Sequence, residues 1–347
     1  MPQLRELVED AVGTCRAPAM GAALVAPDGS AEVAVAGVRA RGRGAPVTAA
    51  DPWHIGSCTK SMTALLYARL VESGAAAWGA PLPDLFPDVP ADPGWAAVTI
   101  DDVLVHRAGV RPNLSVRAMR DAAADVRPVR VQRTEAAAAV LAAPPDRPGR
   151  FRYSNLGYVV AGAAIERVAD APWEDALDAE VLAPLGIHAA GVGAPQGDAP
   201  WGHRPLLGAR GRGPAMDPAR PESADNPAVG GPAGRVHLPL GEWARFVAQF
   251  LEGGATLMGE ASIARLLARP AGPGPPQAMG WVHAEARVER LLGTPLSVGQ
   301  QGSNRRWTAT ALLSRDRRRA ALAVANDGRS RALNATALLA ARVLRGA

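Results

Sequence analysis

The sequence predicts a protein of the α/β (α+β) class, with an antiparallel sheet flanked by helices and a mostly helical insertion. Two strand-like runs lie near the start of the chain, and four more lie near its end. Charged or glycine-containing turns separate consecutive runs, which favours antiparallel hairpins. The region between the two groups of strands contains short helical patterns rich in alanine, proline and glycine. The six strands can therefore share one sheet, with the helical region inserted between them.

The first part of the chain predicts a helix, a hairpin and a second helix. Apolar residues recur at helical spacing over residues 1–15. Strand-like runs over 22–25 and 31–38 flank the turn sequence Pro-Asp-Gly-Ser at 27–30. The second helix is predicted over residues 57–72, before a glycine that stops it.

Several short helices are predicted in the middle of the chain, the first with Thr99 as its N-cap. These helices are predicted over 99–104, 133–141, 158–170 and 172–181, and a long loop is predicted over 208–227. Later helices are predicted over 240–252, 259–267 and 330–344, and strands over 279–286, 291–300, 307–314 and 320–326. We therefore predict an α/β sheet domain of residues 1–75 plus 278–347 and a mostly helical domain of residues 76–277. The functional site is expected in the cleft between them.

The composition argues against several classes of function. The chain has 347 residues, a formal net charge of +5 and only 4% aromatic residues, so it lacks a stacking platform for nucleic acid. Its start is acidic, unlike a signal peptide, and no apolar run reaches the roughly 18 residues of a membrane span. Two cysteines make no disulfide framework, and six histidines show no metal-type spacing. We expect a cytoplasmic protein with no metal or cofactor and no nucleic-acid or membrane partner.

The start of the predicted helix at residue 57 places a hydroxyl beside an amine. Ser57 and Lys60 are three residues apart, so their side chains share one helix face. The chain holds 38 lysines plus arginines, and Lys60 is the only lysine. Lysine can give up its proton in a protein, whereas arginine cannot. Codon bias explains why lysine is rare but not why it survives here. Ser57 is therefore a candidate nucleophile, with Lys60 as its base.

A second group of polar residues lies at 151–158, which holds two of the three tyrosines, Tyr153 and Tyr158. Tyr153 can relay protons beside Lys60, and Asn155 can hydrogen-bond Lys60 and an incoming carbonyl group. The alternative is an aromatic packing cluster before a helix, with Asn155 as the helix cap. Taken alone, this stretch favours the packing cluster.

The order of these residues resembles the serine β-lactamase and penicillin-binding protein superfamily, in particular its branch of class C β-lactamases, D,D-peptidases and esterases. Ser57-x-x-Lys60 followed by Tyr153-x-Asn155 is similar to the first two motifs of that branch. The stretches at 104–109, 231–237 and 278–281 are similar to the family's Leu-x-x-His-Thr-Ser-Gly, Pro-Ala-Gly-Gly-Leu and Tyr-Gly-Leu-Gly-Trp. The resemblance covers nearly the whole chain and implies a β-lactamase-like fold.

The third active-site motif of the family is altered in this chain. Where the family has Lys-Thr-Gly or His-x-Gly, residues 300–302 are Gln-Gln-Gly, so a neutral side chain replaces a cation. Arg305 or Arg306 can supply the missing charge; otherwise both are solvated charges at a strand end. The resemblance implies an oxyanion hole made of the backbone N–H groups of Ser57 and Ser303. The residues that it implies in substrate binding are Asn155, Gln300, Gly302, Ser303 and Arg305.

These residues predict a serine hydrolase that acts through an acyl-enzyme. In this hypothesis Ser57 attacks an ester or amide of a small substrate, and Lys60 and Tyr153 move protons. An acyltransferase or cyclising enzyme of a biosynthetic pathway uses the same intermediate and is the first alternative, beside a β-lactamase or D,D-peptidase. A hypothesis from another class is a non-catalytic protein that binds acyl ligands, which the altered third motif motivates.

Overall fold

The computed structural model describes residues 2–206, 211–271 and 274–346. Its strands are β1 (Ala19–Val25), β2 (Ala31–Ala40), β3 (Arg43–Pro46), β4 (Pro52–His54), β5 (Gly191–Val192), β6 (Val236–Pro239), β7 (Val282–His283), β8 (Leu296–Ser303), β9 (Thr308–Ser314) and β10 (Ala320–Ala325).

The helices are α1 (Pro2–Cys15), α2 (Thr59–Glu72), α3 (Leu82–Leu85), α4 (Ile100–Leu104), α5 (Val116–Ala124), α6 (Val129–Leu141), α7 (Asn155–Ala169), α8 (Trp173–Leu177), α9 (Pro221–Ala224), α10 (Gly231–Gly234), α11 (Leu240–Ala248), α12 (Glu260–Leu266), α13 (Ala286–Leu292) and α14 (Ser330–Gly346). Short 3₁₀ turns lie at Gly56–Cys58, Pro93–Trp95, Ala183–Leu185 and Ala228–Gly230, and a π-helical turn lies at Asp178–Leu182.

One seven-stranded antiparallel sheet has the order β3-β2-β1-β10-β9-β8-β7. The prediction that strands from both ends of the chain share a sheet is therefore confirmed. Strand β1 lies beside β10, with Met20 opposite Ala325 and Val25 opposite Ala320. This pairing joins the early hairpin of β1 and β2 to the late strands.

Both faces of the sheet are covered, so its central strands are apolar throughout. Every residue of β10 is buried. Ala320, Leu322 and Val324 face the core that includes α2, α7 and α11. The alternate residues of β10 face a second core formed with α1 and α14. Successive side chains of a strand point to opposite faces, which explains this alternation between two cores.

A small sheet of order β4-β6-β5 lies outside the large one and was not predicted. Its strand β4 leads directly into the 3₁₀ turn that contains Ser57, and Trp53 pairs with Leu238 of β6. The small sheet therefore anchors the approach to Ser57.

The predicted loop over 208–227 falls partly outside the described residues; within them it contains α9.

Two strand predictions near the end of the chain are wrong in their bounds. Only Val282–His283 is a strand within the predicted 279–286, and Ala286–Leu292 is a helix where a strand was to begin at 291. Gly280 has a φ of +78°, which interrupts the extended backbone. Residues 286–292 are mostly Ala, Arg, Glu and Leu, which are strong helix formers. Gly293, at φ +67°, ends that helix as a left-handed cap.

Helix α5 was not predicted and has no buried residue. Helix α11 packs against β1 and β2, although its residues fall in the range assigned to the helical domain. The division into residues 1–75 plus 278–347 and residues 76–277 stays a prediction.

Across the described ranges, none of the helices combines the length and the hydropathy needed to cross a membrane. The cytoplasmic location also stays a prediction.

Three buried histidines are expected to make the fold sensitive to acid. Burial lowers the pKa of His203 and His237 to about 4, and burial together with the charge of Lys60 lowers that of His106 to about 3. An unfolded histidine has a pKa of about 6.5, so the unfolded chain binds more protons below that pH. The stability contributed by the neutral rings is therefore complete above about pH 6.5 and is lost as the pH falls towards 4.

We expect the free energy of unfolding to fall by about 1 kcal/mol per pH unit for each of these histidines between about pH 6 and pH 4. Urea unfolding at a series of pH values measures the slope. Proton NMR of the three imidazoles measures their protonation separately. Titration of these rings near pH 6.5 in the folded protein would contradict the expectation.

Candidate active site

Ser57 lies in the 3₁₀ turn between β4 and α2, where its side chain is half-buried and lines a cavity of about 220 Å³. The turn needs Gly56, whose φ is +53°. The N–H of Gly56 donates to His54 Nδ1 at 3.1 Å, which fixes the backbone just before the serine. The nucleophile is therefore held by a constrained turn and not by a flexible loop.

Lys60 is fully buried on the first turn of α2, directly beneath Ser57. Its Nζ donates to Ser57 Oγ at 3.3 Å, to Asn155 Oδ1 at 2.8 Å and to the Ala233 carbonyl oxygen at 2.5 Å. Those three contacts match the three N–H donors of an ammonium group. None of them is a carboxylate, so the lysine is bound by neutral acceptors, one of which is the serine hydroxyl.

Asn155 is free to bind Lys60 because another residue caps its helix. The N-cap of α7 is Ser154, whose Oγ accepts the N–H of Gly157 at 2.8 Å. The alternative reading of Asn155 as the cap is therefore wrong. The Asn155 amide instead bridges two groups, since its Nδ2 donates to Asn113 Oδ1 at 2.8 Å while its oxygen accepts from Lys60.

The aromatic rings around Lys60 divide into one candidate for proton transfer and one structural ring. Lys60 Nζ lies 4.9 Å from the centre of the Tyr153 ring and 5.3 Å from that of Tyr158. Burial raises the pKa of Tyr158 well above its ordinary value, and its hydroxyl donates to the Leu104 carbonyl oxygen. Tyr153 is half-buried, and its hydroxyl makes no hydrogen bond within the described residues. Its proton-relay role stays a prediction.

Two backbone N–H groups meet beside Ser57 because two glycines leave room for them. A Cβ on Gly302 would lie 1.9 Å from the Ile55 carbonyl oxygen and 2.8 Å from Ser57 N, and one on Gly56 would lie 2.5 Å from Ser303 N. Real Cβ atoms do not approach backbone that closely. The turn at Ser57 and the end of β8 therefore touch through backbone, with the amide nitrogens of Ser57 and Ser303 in adjoining segments. Their role as an oxyanion hole stays a prediction.

Gln300 is placed away from the cavity that contains Ser57. The side chain is buried, its Nε2 donates to the Gly280 carbonyl oxygen at 3.1 Å, and its Oε1 accepts the N–H of Gln301 at 3.1 Å. Both functional atoms of the amide are therefore engaged with backbone. The structure does not bring Gln300 to the cavity wall, although it does bring Gly302 and Ser303 to the nucleophile.

Arg305 and Arg306 have different environments. Arg306 donates to the carbonyl oxygens of Ser223 and Asn304, so its guanidinium group stabilises the backbone at both positions. Arg305 is exposed, lines the cavity, and has no acidic partner among the described residues. Its φ of +66° is unusual for a residue with a side chain, and its N–H donates to Ser303 Oγ at 3.0 Å. Arg305 is therefore the cation available to a ligand.

The cavity wall combines apolar and polar side chains. The apolar ones are Leu114, Met119, Leu156, Pro227, Val159 and Val229. The polar ones are Ser57, Asn113, Asn155, Asn226, Ser303, Asn304 and Arg305, and no carboxylate is among the lining residues. Met119 comes from α5, the helix without a buried residue.

Sequence reasoning missed several residues of the site. The Ala233 carbonyl group acts through backbone, so its side chain gives no signal. Asn113 lies in a loop, and only its neighbours in space show its role. Asp225 lies in the predicted 208–227 loop, where no periodic pattern marks it, yet it is buried against His54. The only sequence signal for Asp225 is its charged side chain, in a stretch whose composition is typical of a loop.

Comparisons with known proteins show the family and the fold of this chain. The β-lactamase family model matches residues 4–344. Penicillin-binding protein 4 of Amycolatopsis lactamdurans is 30% identical over 180 residues, which span 48% of this chain and 43% of that protein. The match thus covers less than half the length of that relative.

Two solved structures share the β-lactamase-like fold that the sequence predicts. The class C β-lactamase from Rhodobacter sphaeroides has a TM-score of 0.78 and 17% identity, and the match covers 100% of both chains. The D-amino acid amidase from Ochrobactrum anthropi SV3, complexed with L-phenylalanine amide, has a TM-score of 0.75 and 20% identity over 99% of this chain and 96% of that one. At these identities the likeness establishes the fold.

Lys60→Arg tests whether the lysine acts as a base. We expect the variant to lose at least about nine-tenths of the reactivity of Ser57, because arginine keeps the charge but cannot accept a proton. The rate of labelling by a fluorophosphonate probe measures that reactivity, and the melting temperature checks the fold. If more than a tenth of the rate remains, a loss below about 1.4 kcal/mol in the barrier, then Lys60 acts only through its charge or packing.

Proposed function

The chain belongs to the β-lactamase family, whose members are serine hydrolases, and we propose that it hydrolyses an ester or amide of a small substrate through an acyl-enzyme on Ser57. One observation carries the proposal. Ser57 Oγ lies 3.3 Å from Lys60 Nζ, and the amide nitrogens of Ser57 and Ser303 lie in backbone segments that touch beside it. A nucleophile, a base and an oxyanion hole are thus within reach of one carbonyl group.

The first half of the reaction forms the acyl-enzyme. After the ammonium group of Lys60 has lost one proton to water, Ser57 Oγ bonds to the substrate carbonyl carbon while its own proton passes to Lys60 Nζ. The carbonyl oxygen becomes an oxyanion that accepts from the two backbone N–H groups. Collapse of this intermediate breaks the bond to the leaving alcohol or amine, which takes the proton from Lys60. Tyr153, whose ring covers the Lys60 amine, is the proposed relay for that proton.

The second half regenerates the enzyme. A water molecule adds to the acyl carbon and gives its proton to the same base. The bond between the acyl carbon and Ser57 Oγ then breaks, Oγ regains a proton, and a carboxylic acid leaves. Asn155 holds the lysine in place throughout, since its Oδ1 accepts from Lys60 at 2.8 Å. All groups in this scheme belong to the chain, the substrate or water.

The cavity suggests a small acyl group with an apolar part and an anionic part. Its volume of about 220 Å³ limits the size of the group. Leu114, Met119 and Val159 offer apolar contact, whereas Arg305 offers a cation in the same cavity wall. Because an exposed charge pair contributes only about 0 to 1 kcal/mol, Arg305 is expected to tune the preference between substrates and not to create it.

Ser57→Ala and Cys58→Ala together test the nucleophile. We expect Ser57→Ala to abolish hydrolysis of activated esters and labelling by a fluorophosphonate, with the fold retained. Cys58→Ala should keep both, because the thiol is buried and burial raises its pKa well above the ordinary value. Intact-mass measurement locates the adduct.

An unlabelled wild-type protein that still binds esters would favour the non-catalytic binder. Activity that survives in Ser57→Ala but disappears in Cys58→Ala would overturn the nucleophile assignment. In the active protein, added hydroxylamine or a short alcohol separates hydrolysis from acyl transfer, because a transferase forms the hydroxamate or the new ester in preference to the acid.

Arg305→Gln tests the anionic part of the substrate. We expect kcat/KM for a carboxylate-bearing ester to fall by about fivefold relative to a neutral ester of the same size, the equivalent of about 1 kcal/mol. Arg305→Lys keeps the charge and is the matched control, with the ratio retained. Gln300→Lys should leave the ratio unchanged, because Gln300 lies away from the cavity. A ratio that rises in Gln300→Lys and stays constant in Arg305→Gln would return the anion site to the third motif.

A further inference from the structure

We propose that Asp225 is a positioning residue that fixes both backbone donors of the oxyanion hole, one through His54 and the other through Asn304. Asp225 follows α9, far from Ser57 in sequence, and is 3% exposed. It does not line the cavity with Ser57. The inference rests on the proposed function, because an oxyanion hole has a role only in acyl chemistry at Ser57.

The first connection runs through His54. The N–H of Gly56 donates to His54 Nδ1, so the ring proton of the neutral imidazole lies on Nε2. That nitrogen lies 3.1 Å from Asp225 Oδ2, with both side chains fully buried. A carboxylate accepts only, so it selects the tautomer in which Nδ1 can accept from Gly56. Through the His54 ring, Asp225 thereby fixes the N–H of Gly56 and so the backbone just before Ser57.

The second connection runs through Asn304, the residue after Ser303. Asn304 Nδ2 donates to Asp225 Oδ1 at 2.8 Å. The Asn304 Oδ1 atom accepts the N–H groups of Arg306 and Trp307, each at 3.0 Å. This amide therefore closes the turn after β8 and holds it against Asp225. The N–H of Ser303 is fixed in the same way as that of Ser57, by the other oxygen of one carboxylate.

The surroundings of Asp225 favour a carboxylate in a single orientation. Arg235 Nε donates to Oδ2 at 3.1 Å, and the N–H of Asn226 donates to Oδ1 at 2.8 Å. The His54 ring stacks on Trp307, with ring centres 5.5 Å apart and planes inclined by 21°. Burial by itself would raise the pKa of Asp225, but His54, Arg235 and Asn304 hold that pKa well below its ordinary value. Four donors face two oxygens, an arrangement that an asparagine amide cannot satisfy.

The test compares an ester with its thionoester in wild type and in Asp225→Asn. A thiocarbonyl sulfur accepts hydrogen bonds poorly, so the ratio of kcat/KM for ester over thionoester reports the oxyanion hole itself. We expect Asp225→Asn to lower kcat for the ester by about tenfold to a hundredfold, with KM within about twofold and the ratio reduced at least about fivefold. Nitrogen-15 NMR of the His54 ring should show loss of the single Nε2–H tautomer.

Glu174→Gln is the matched control, because it removes one charge from another buried ion cluster, that of Arg133 with Glu166 and Glu174. It should lower the melting temperature but leave the ester-to-thionoester ratio at the wild-type value. If Asp225→Asn does not fold, His54→Phe carries the same test, because it keeps a ring of similar size but breaks the connection between the carboxylate and Gly56 while keeping Asp225.

The outcomes separate the inference from the proposed function. Wild-type protein that neither turns over esters nor reacts with a fluorophosphonate would reject the proposed function and the inference with it. Active wild type together with an unchanged ratio in folded Asp225→Asn or His54→Phe would overturn the inference alone. A ratio that falls equally in Glu174→Gln would also overturn it, since the loss would then follow from general destabilisation.

Discussion

The buried ammonium group of Lys60 is the interaction on which the arrangement of the site depends. Its three donors bind atoms from three separate parts of the chain: the turn after β4, the start of α7 and the short helix α10. A charge removed from water is tolerated only when its hydrogen bonds are satisfied. By binding all three, the lysine fixes the positions of Ser57, Asn155 and the Ala233 carbonyl group relative to one another.

The second constraint is steric, since the edge of the sheet must touch the nucleophile turn. Gly302 of β8 and Gly56 of the turn approach so closely that neither position has room for a side chain. The end of β8 and the Ser57 turn thus touch through backbone. Asp225 lies where these two segments meet, which is why one carboxylate can reach His54, just before the turn, and Asn304, just after Ser303.

Local patterns predicted the parts of the site that depend on short spacings. The i, i+3 spacing predicted the contact of Ser57 with Lys60, although Ser57 lies in a 3₁₀ turn and only Lys60 lies in α2. Thr99 is the N-cap of α4, as predicted. The order of motifs then predicted the fold. The contacts of Asp225 and of Gln300 with distant segments were beyond reach, since the 208–227 loop has no periodicity that reveals Asp225. The direction of Gln300 depends on the Gly280 turn, whose positive φ leaves a carbonyl oxygen facing the amide. Residues 286–292 show that intrinsic helix propensity outweighed the strand pattern at the edge of the sheet.

The pairing of β1 with β10 also constrains the order in which the molecule can assemble. Residues 19–25 must wait for residues 320–325 before the centre of the sheet exists. Until then the apolar β1–β2 hairpin has an open edge, which is a template for pairing with other chains. Contacts between such distant residues raise the contact order, and a high contact order slows folding. During synthesis the first strands therefore emerge long before their partners, so the open edge of the early hairpin stays unpaired until the last strands leave the ribosome.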